Sequence, residues 1–191
     1  MGAYAGWKRA YWRTFLADIG LRVPVGARVL DAGCGPAGIF AALPHAAVTA
    51  VDPLLARYDE LPAFERDDFP HVRWVAAPLE SFVAAGEFDF VFCLNVINHV
   101  RDLAGVSRVL AEACRPGGTV VISVDAHRHR LLKPLFRAVP GDILHPHQLD
   151  IVGYRDAFAD AGLTVRSERL YKRTAIFDYV VLVLTPKPRA S

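Results

Sequence analysis

Residues 29–38 read VLDAGCGPAG, a short apolar run that ends on an acid and is followed by three glycines. Glycine lets a backbone turn sharply and approach a ligand closely, so Gly33, Gly35 and Gly38 predict a ligand loop between a strand and a helix. Taken alone, Gly33-x-Gly35-x-x-Gly38 satisfies the dinucleotide fingerprint. Asp52 closes the next apolar run, about 20 positions further on, where an acid accepts both hydroxyls of an adenosine ribose. These features indicate a nucleoside and leave its identity open.

Asp31 separates the candidates. It precedes the first glycine by two positions and ends its strand, facing the ligand crevice. A carboxylate there repels a pyrophosphate and attracts the ammonium of an amino-acid moiety. The pair Asp31 and Asp52 therefore suits S-adenosylmethionine better than NAD. The bland alternative for Asp31 is a cap on the following loop. Cys34 reads as a small filler rather than a nucleophile, because no neighbouring base or cation would lower its pKa.

The elements that must hold these residues follow from hydrophobic runs. Arg28–Leu30, Ala47–Val51, Val72–Ala76, Phe88–Leu94 and Thr119–Val124 are short apolar runs separated by helix-length segments. Such continuous apolar strands predict a parallel sheet covered on both faces. Leu103, Val106, Leu110 and Ala113 recur at helical spacing, and Gly162 suits the end of a later helix. Thr164–Tyr171 and Phe177–Leu184 predict an antiparallel hairpin that closes a seven-stranded sheet. Tyr4–Ile19 reads as a leading helix.

The 191 residues fit one domain, 1–191, and the hydrophobic fraction of 53% excludes a disordered chain. With 22 basic against 20 acidic residues, a binder that neutralises nucleic-acid phosphates is not expected. Three cysteines without a CxxC suit a reducing compartment, and no apolar stretch is long enough to span a bilayer. The expectation is a cytoplasmic protein without membrane or nucleic-acid partners, monomeric or homodimeric.

With these residues in place, the chain resembles the class I S-adenosylmethionine-dependent methyltransferases of small-molecule type. The matching stretches are VLDAGCGPAG (29–38), AVTAVDP (47–53), FDFVFCLNVINHV (88–100) and RVLAEACRPGGTVVIS (108–123), in the usual order. The resemblance implies an α/β, Rossmann-like mixed sheet of order 3-2-1-4-5-7-6 with helices on both faces. It implies S-adenosyl-L-methionine as cofactor and S-adenosyl-L-homocysteine as product. Asp31, Gly33 and Gly35, with Cys34 between them, would hold the methionine moiety. Asp52 would take the ribose hydroxyls, with Pro53 and Leu54 beside the adenine. Asn95 would lie near the transferring methyl group. One departure concerns the adenine amino group, which many members bind with an acid soon after the third strand. Here Pro78 stands near that place, leaving a Leu79 backbone contact or Glu80, which also reads as a solvated helix start.

The acceptor side belongs beyond the fourth and fifth strands. There Asp125–His147 forms an insertion holding His127, His129, His145 and His147. The two HxH pairs lie far apart with no Cys or Glu to complete a set, so no metal is expected. His127 is the first choice as general base, with His145 and His147 next and His99 a further candidate. The two histidines around Pro146 could instead cap the helix that follows, and His99 could serve packing. Arg128 and Arg130 would suit an acidic acceptor or form a solvated basic face. Tyr4, Trp7 and Tyr11 lie on the leading segment, 1–24, a lid over an aromatic acceptor or a helix packed on the sheet edge. The expected activity is methyl transfer to a small acceptor, most simply to oxygen with histidine assistance. Alternatives are a non-catalytic cofactor-binding partner, a protein methyltransferase and an NAD-dependent oxidoreductase.

Overall fold

The computed structural model describes residues 3–62, 64–127, 149–173 and 177–188, with backbone only for 3–5 and 127. The chain runs α1 (Ala3–Asp18), β1 (Arg28–Ala32), β2 (Ala47–Val51), α2 (Leu55–Tyr58), β3 (Val72–Val75) and β4 (Phe88–Cys93). It continues through α3 (Leu103–Ala113), β5 (Cys114–His127), α4 (Ile151–Asp160), β6 (Leu163–Arg173) and β7 (Phe177–Pro186). One sheet has the order β3-β2-β1-β4-β5-β7-β6. Its first five strands are parallel, and β7 runs antiparallel to both β5 and β6.

Strand alternation sorts the apolar residues between two cores. Leu30, Val91, Val120 and Ile122 face one layer, where they meet Val106 and Leu110 of α3 and Tyr154 and Phe158 of α4. Val29, Phe92 and Val121 face the other, with Trp12, Phe15 and Leu16 of α1. Both described helices that follow β4 start on side-chain caps. Asp102 accepts from Gly105 N–H at 2.8 Å, and Asp150 accepts from Gly153 N–H at 3.0 Å. Gly162 has a left-handed φ of 84° just past α4, as its place in the sequence suggested.

One expectation changes. The glycine loop leads into a single 3-10 turn, Ile39–Ala42, where the spacing predicted a helix. The physical reason is length: Pro44 interrupts the segment and β2 begins at Ala47, leaving no room for a full crossover helix. The leading helix fills the uncovered space. Arg9 Nε donates to Ala41 O at 3.1 Å, and Trp12 Nε1 donates to Ala37 O at 2.8 Å, tying α1 to the loop. Among the described residues, no helix is long and apolar enough to cross a membrane.

Candidate functional site

A cavity of about 450 Å³ opens at the carboxyl ends of β1, β2 and β4. That volume lies in the range of small-molecule sites. It gathers Asp31, Gly33, Cys34, Gly35, Asp52, Pro53, Leu54, Leu79, Glu80, Asn95 and His99 from four separate stretches of chain. Lys8, Tyr58 and Val96 also line it, and sequence reasoning did not single them out as site residues; Trp12, one of the aromatics of the leading segment, lines it too. Trp7 and Tyr11 are not among its lining residues. The side chains of Tyr4 and His127, and all of Arg128, Arg130, His145 and His147, lie outside the described residues. His127 closes β5, where its backbone pairs with Phe177.

The loop geometry explains its glycines. Gly33 and Gly35 have φ of 73° and 57°, a region costly for L side chains. A Cβ on Gly33 would collide with the Val96 side chain, and one on Gly38 with Asp31 Oδ2 and the Cys34 carbonyl. Around Gly35 the space is open. A ligand can therefore lie against the backbone there.

The two acids are held differently. Asp52 Oδ2 accepts from Gly35 N–H at 3.0 Å, and Oδ1 accepts from Leu54 N–H at 2.8 Å and Tyr58 OH at 3.2 Å. This carboxylate staples the glycine loop to the segment after β2 and still faces the cavity. Burial pushes the Tyr58 hydroxyl up to about 12, with the Asp52 charge adding to it, so it remains a donor. Asp31 is 2% exposed, and its Oδ2 accepts from Phe40 N–H at 3.1 Å. The loop-cap reading of Asp31 is thus real, and it coexists with a place on the cavity wall. Burial pushes its pKa to about 7, and the Asp52 charge adds to that, against hydrogen bonds from Phe40 and Ile39 that lower it. Cys34 is buried, and desolvation followed by the two acids raises its thiol far above the usual range. It is inert filler.

The far wall comes from the loop after β4. Asn95 has φ of 60°, the single left-handed non-glycine among the described residues, and donates its N–H to Ser123 Oγ at 2.8 Å. Asparagine tolerates this region better than most residues, and such strain marks functional loops. Asn98 is buried and fixes the same loop. Its Nδ2 donates to Asp125 O at 3.0 Å and to Tyr154 Oη at 2.9 Å, while Asp125 N–H donates to its Oδ1 at 3.3 Å. Glu80 Oε1 accepts from Arg101 N–H at 2.9 Å, bracing the β3 end against this loop.

Behind Asn95, Tyr179 carries a buried hydroxyl with no hydrogen-bond partner among the described residues. Ser123 and Asn95 lie near enough to lower its pKa as hydrogen-bonding neighbours, but neither reaches bonding geometry, and burial, the larger cause, raises it. An unpaired buried hydroxyl costs about 1–3 kcal/mol. Tyr179→Phe, which keeps the ring contact with Tyr171 at 6.0 Å, should therefore melt at or above the wild-type temperature. A calorimetric scan showing a drop of several degrees would mean that the hydroxyl is bonded after all.

Fold and cavity together define a nucleoside-binding α/β protein with an acid at the tip of each of its first two strands. A family model described as a methyltransferase domain matches residues 4–168. The chain is 32% identical over 180 residues to the trans-aconitate 2-methyltransferase of Azoarcus sp., covering 78% of this chain and 70% of that protein. It is 35% identical over 106 residues to the ubiquinone biosynthesis O-methyltransferase of Xanthomonas axonopodis pv. citri, covering 52% of this chain. Of that relative it spans less than half, 44%. The Burkholderia thailandensis 1,6-didemethyltoxoflavin-N1-methyltransferase, solved with 1,6-didemethyltoxoflavin and S-adenosylhomocysteine, shares the fold. Its TM-score is 0.68 at 20% identity, with 95% of this chain and 78% of that one covered. The chain belongs to the class I S-adenosylmethionine-dependent methyltransferases.

Proposed function

We propose that this chain transfers the methyl group of S-adenosylmethionine to an oxygen of a small-molecule acceptor and releases S-adenosylhomocysteine. The observation that carries the reading is one glycine-lined cavity with an acid at the tip of β1 and another at the tip of β2. When bound, the cofactor supplies a methyl group already activated on a sulfonium. The donor set fits it. Asp52 receives the ribose hydroxyls and holds the loop with the same two oxygens. Asp31 receives the ammonium, and the backbone at Gly33, Cys34 and Gly35 lies along the amino-acid moiety. Pro53, Leu54 and Leu79 flank the adenine, with Glu80 toward its amino group.

An in-line displacement from an activated donor asks the protein mainly for alignment and exclusion of water. Asn95, held by Ser123, faces the acceptor side of the cavity. A hydroxyl acceptor must also lose a proton. Among the described residues His99 is the candidate base whose side chain lies at the cavity, so it takes that role here. A small acceptor and an oxygen target are supported by the two relatives, a trans-aconitate 2-methyltransferase and a ubiquinone biosynthesis O-methyltransferase.

The test begins with calorimetric titration of S-adenosylhomocysteine and, separately, NAD into the wild type. Binding of the first alone is expected, and binding of NAD alone sinks the reading. Turnover on trans-aconitate and 3,4-dihydroxybenzoate is then followed by the demethylated cofactor. His99→Gln should keep the affinity for S-adenosylhomocysteine and lose about 100-fold in kcat. Cofactor binding without turnover of any acceptor would favour a non-catalytic subunit.

A further inference from the structure

We propose that Lys8 sets acceptor specificity: its ammonium recognises a carboxylate, so the acceptors are small organic acids with a flat, unsaturated body. The inference rests on the methyltransferase reading above. Lys8 is the one lysine or arginine among the described residues that line the cavity. It forms no ion pair among the described residues. The acids of the cavity are engaged elsewhere: Asp31 by Phe40 N–H, Asp52 by Gly35, Leu54 and Tyr58, and Glu80 by Arg101 N–H.

The ammonium is held by rings instead. Lys8 Nζ lies 5.2 Å from the Trp7 ring centroid, 5.5 Å from Tyr11 and 5.9 Å from Trp12. Cation–π attraction operates within about 6 Å and places the charge with part of its hydration removed. A half-buried cation beside a cavity, with no anion paired to it among the described residues, is completed by an anionic ligand. The surrounding surface narrows the choice. Trp12 lines the cavity beside the charge, with its ring centroid 5.9 Å from Lys8 Nζ. A conjugated acid can place its carboxylate on Lys8 and its face toward that ring. The cofactor also ends in a carboxylate, and the test must separate the two sources.

Protein saturated with S-adenosylhomocysteine is titrated with 3,4-dihydroxybenzoate and with catechol, which differ by one carboxylate. The wild type should bind the acid at least about tenfold more tightly. Lys8→Gln should erase that preference, and Lys8→Arg should retain it. Affinity for S-adenosylhomocysteine should stay within about threefold in both variants, well below the loss of a charged contact. A large loss of that affinity in Lys8→Gln would put the carboxylate on the cofactor and overturn the proposal. Equal binding of acid and catechol by the wild type, or a preference that survives Lys8→Gln, would overturn it too. Failure of the wild type to bind S-adenosylhomocysteine is a different result and removes the methyltransferase reading itself.

Discussion

Asp52→Ala should bind S-adenosylhomocysteine at least about 100-fold more weakly than the wild type, and should be less stable without ligand. The first effect follows from the proposed ribose contact. Each hydrogen bond to a charged group is worth about 1.5–3 kcal/mol, and two hydroxyls meet one carboxylate. The second follows from the three donors that Asp52 already serves: Gly35 N–H, Leu54 N–H and Tyr58 OH. Alanine leaves them without their acceptor in a site where Asp52 is 7% exposed. A loss of about 2–4 kcal/mol is expected. Tyr58→Phe is the control, because it removes one of the three bonds and leaves the carboxylate in place. It should cost about 1 kcal/mol and change ligand affinity little. Denaturant titrations and calorimetry on the same samples separate the two effects. Unchanged affinity in a folded Asp52→Ala protein would remove Asp52 from the ribose.

The glycine loop and its two acids were legible because their signal is local. A strand end, three glycines and an acid at the next strand end need no knowledge of distant packing. The seven strands were legible for the same reason, as apolar runs. The strand order came with the family resemblance, since nothing local tells β7 to insert between β5 and β6. Residues brought in by docking were harder to see. The leading helix carries its aromatics on one broad face, and within it Trp7 and Tyr11 looked as good as Trp12. The docked helix buries Trp12, Phe15 and Leu16, and so turns Lys8 and Trp12 toward the cavity. The short crossover after the loop leaves a space that this phase of the helix fills. The spacing of Lys8, Trp12 and Phe15 was available in the sequence, but the partner that selects that face was not. Asn98 was hidden differently. Its amide bonds to Asp125 and Tyr154, which lie far along the chain, so although it falls within the 88–100 stretch nothing local shows that it braces the loop.

Asp31→Asn should separate stability from binding, with opposite signs. Burial, with the Asp52 charge adding to it, raises Asp31 to about 7 in the folded protein, while an unfolded aspartate titrates near about 3.9. Between those values the folded state keeps a proton that the unfolded state has lost. Stability from this group is therefore fully present below about pH 4 and falls as pH rises toward about 7. The span corresponds to about 4 kcal/mol at most. Asparagine does not titrate, and its carbonyl oxygen can accept from Phe40 N–H as Asp31 Oδ2 does. The unliganded variant should thus be more stable than the wild type at pH 8, with the advantage shrinking toward pH 4. The difference between the two proteins isolates this residue from every other titrating group. Binding runs the other way. An ammonium beside Asp31 favours the charged carboxylate, so wild-type affinity for S-adenosylhomocysteine should rise between pH 6 and pH 8, with proton release on binding. The neutral amide should cost at least about 30-fold in affinity at pH 8, the loss of one charged contact. Calorimetry in two buffers of different ionisation enthalpy measures the protons directly. Wild-type affinity in Asp31→Asn, with no proton release in the wild type, would reduce Asp31 to a cap on its loop. The stability gain would stand regardless, because it depends on burial and the Asp52 charge in the unliganded protein and not on the ligand.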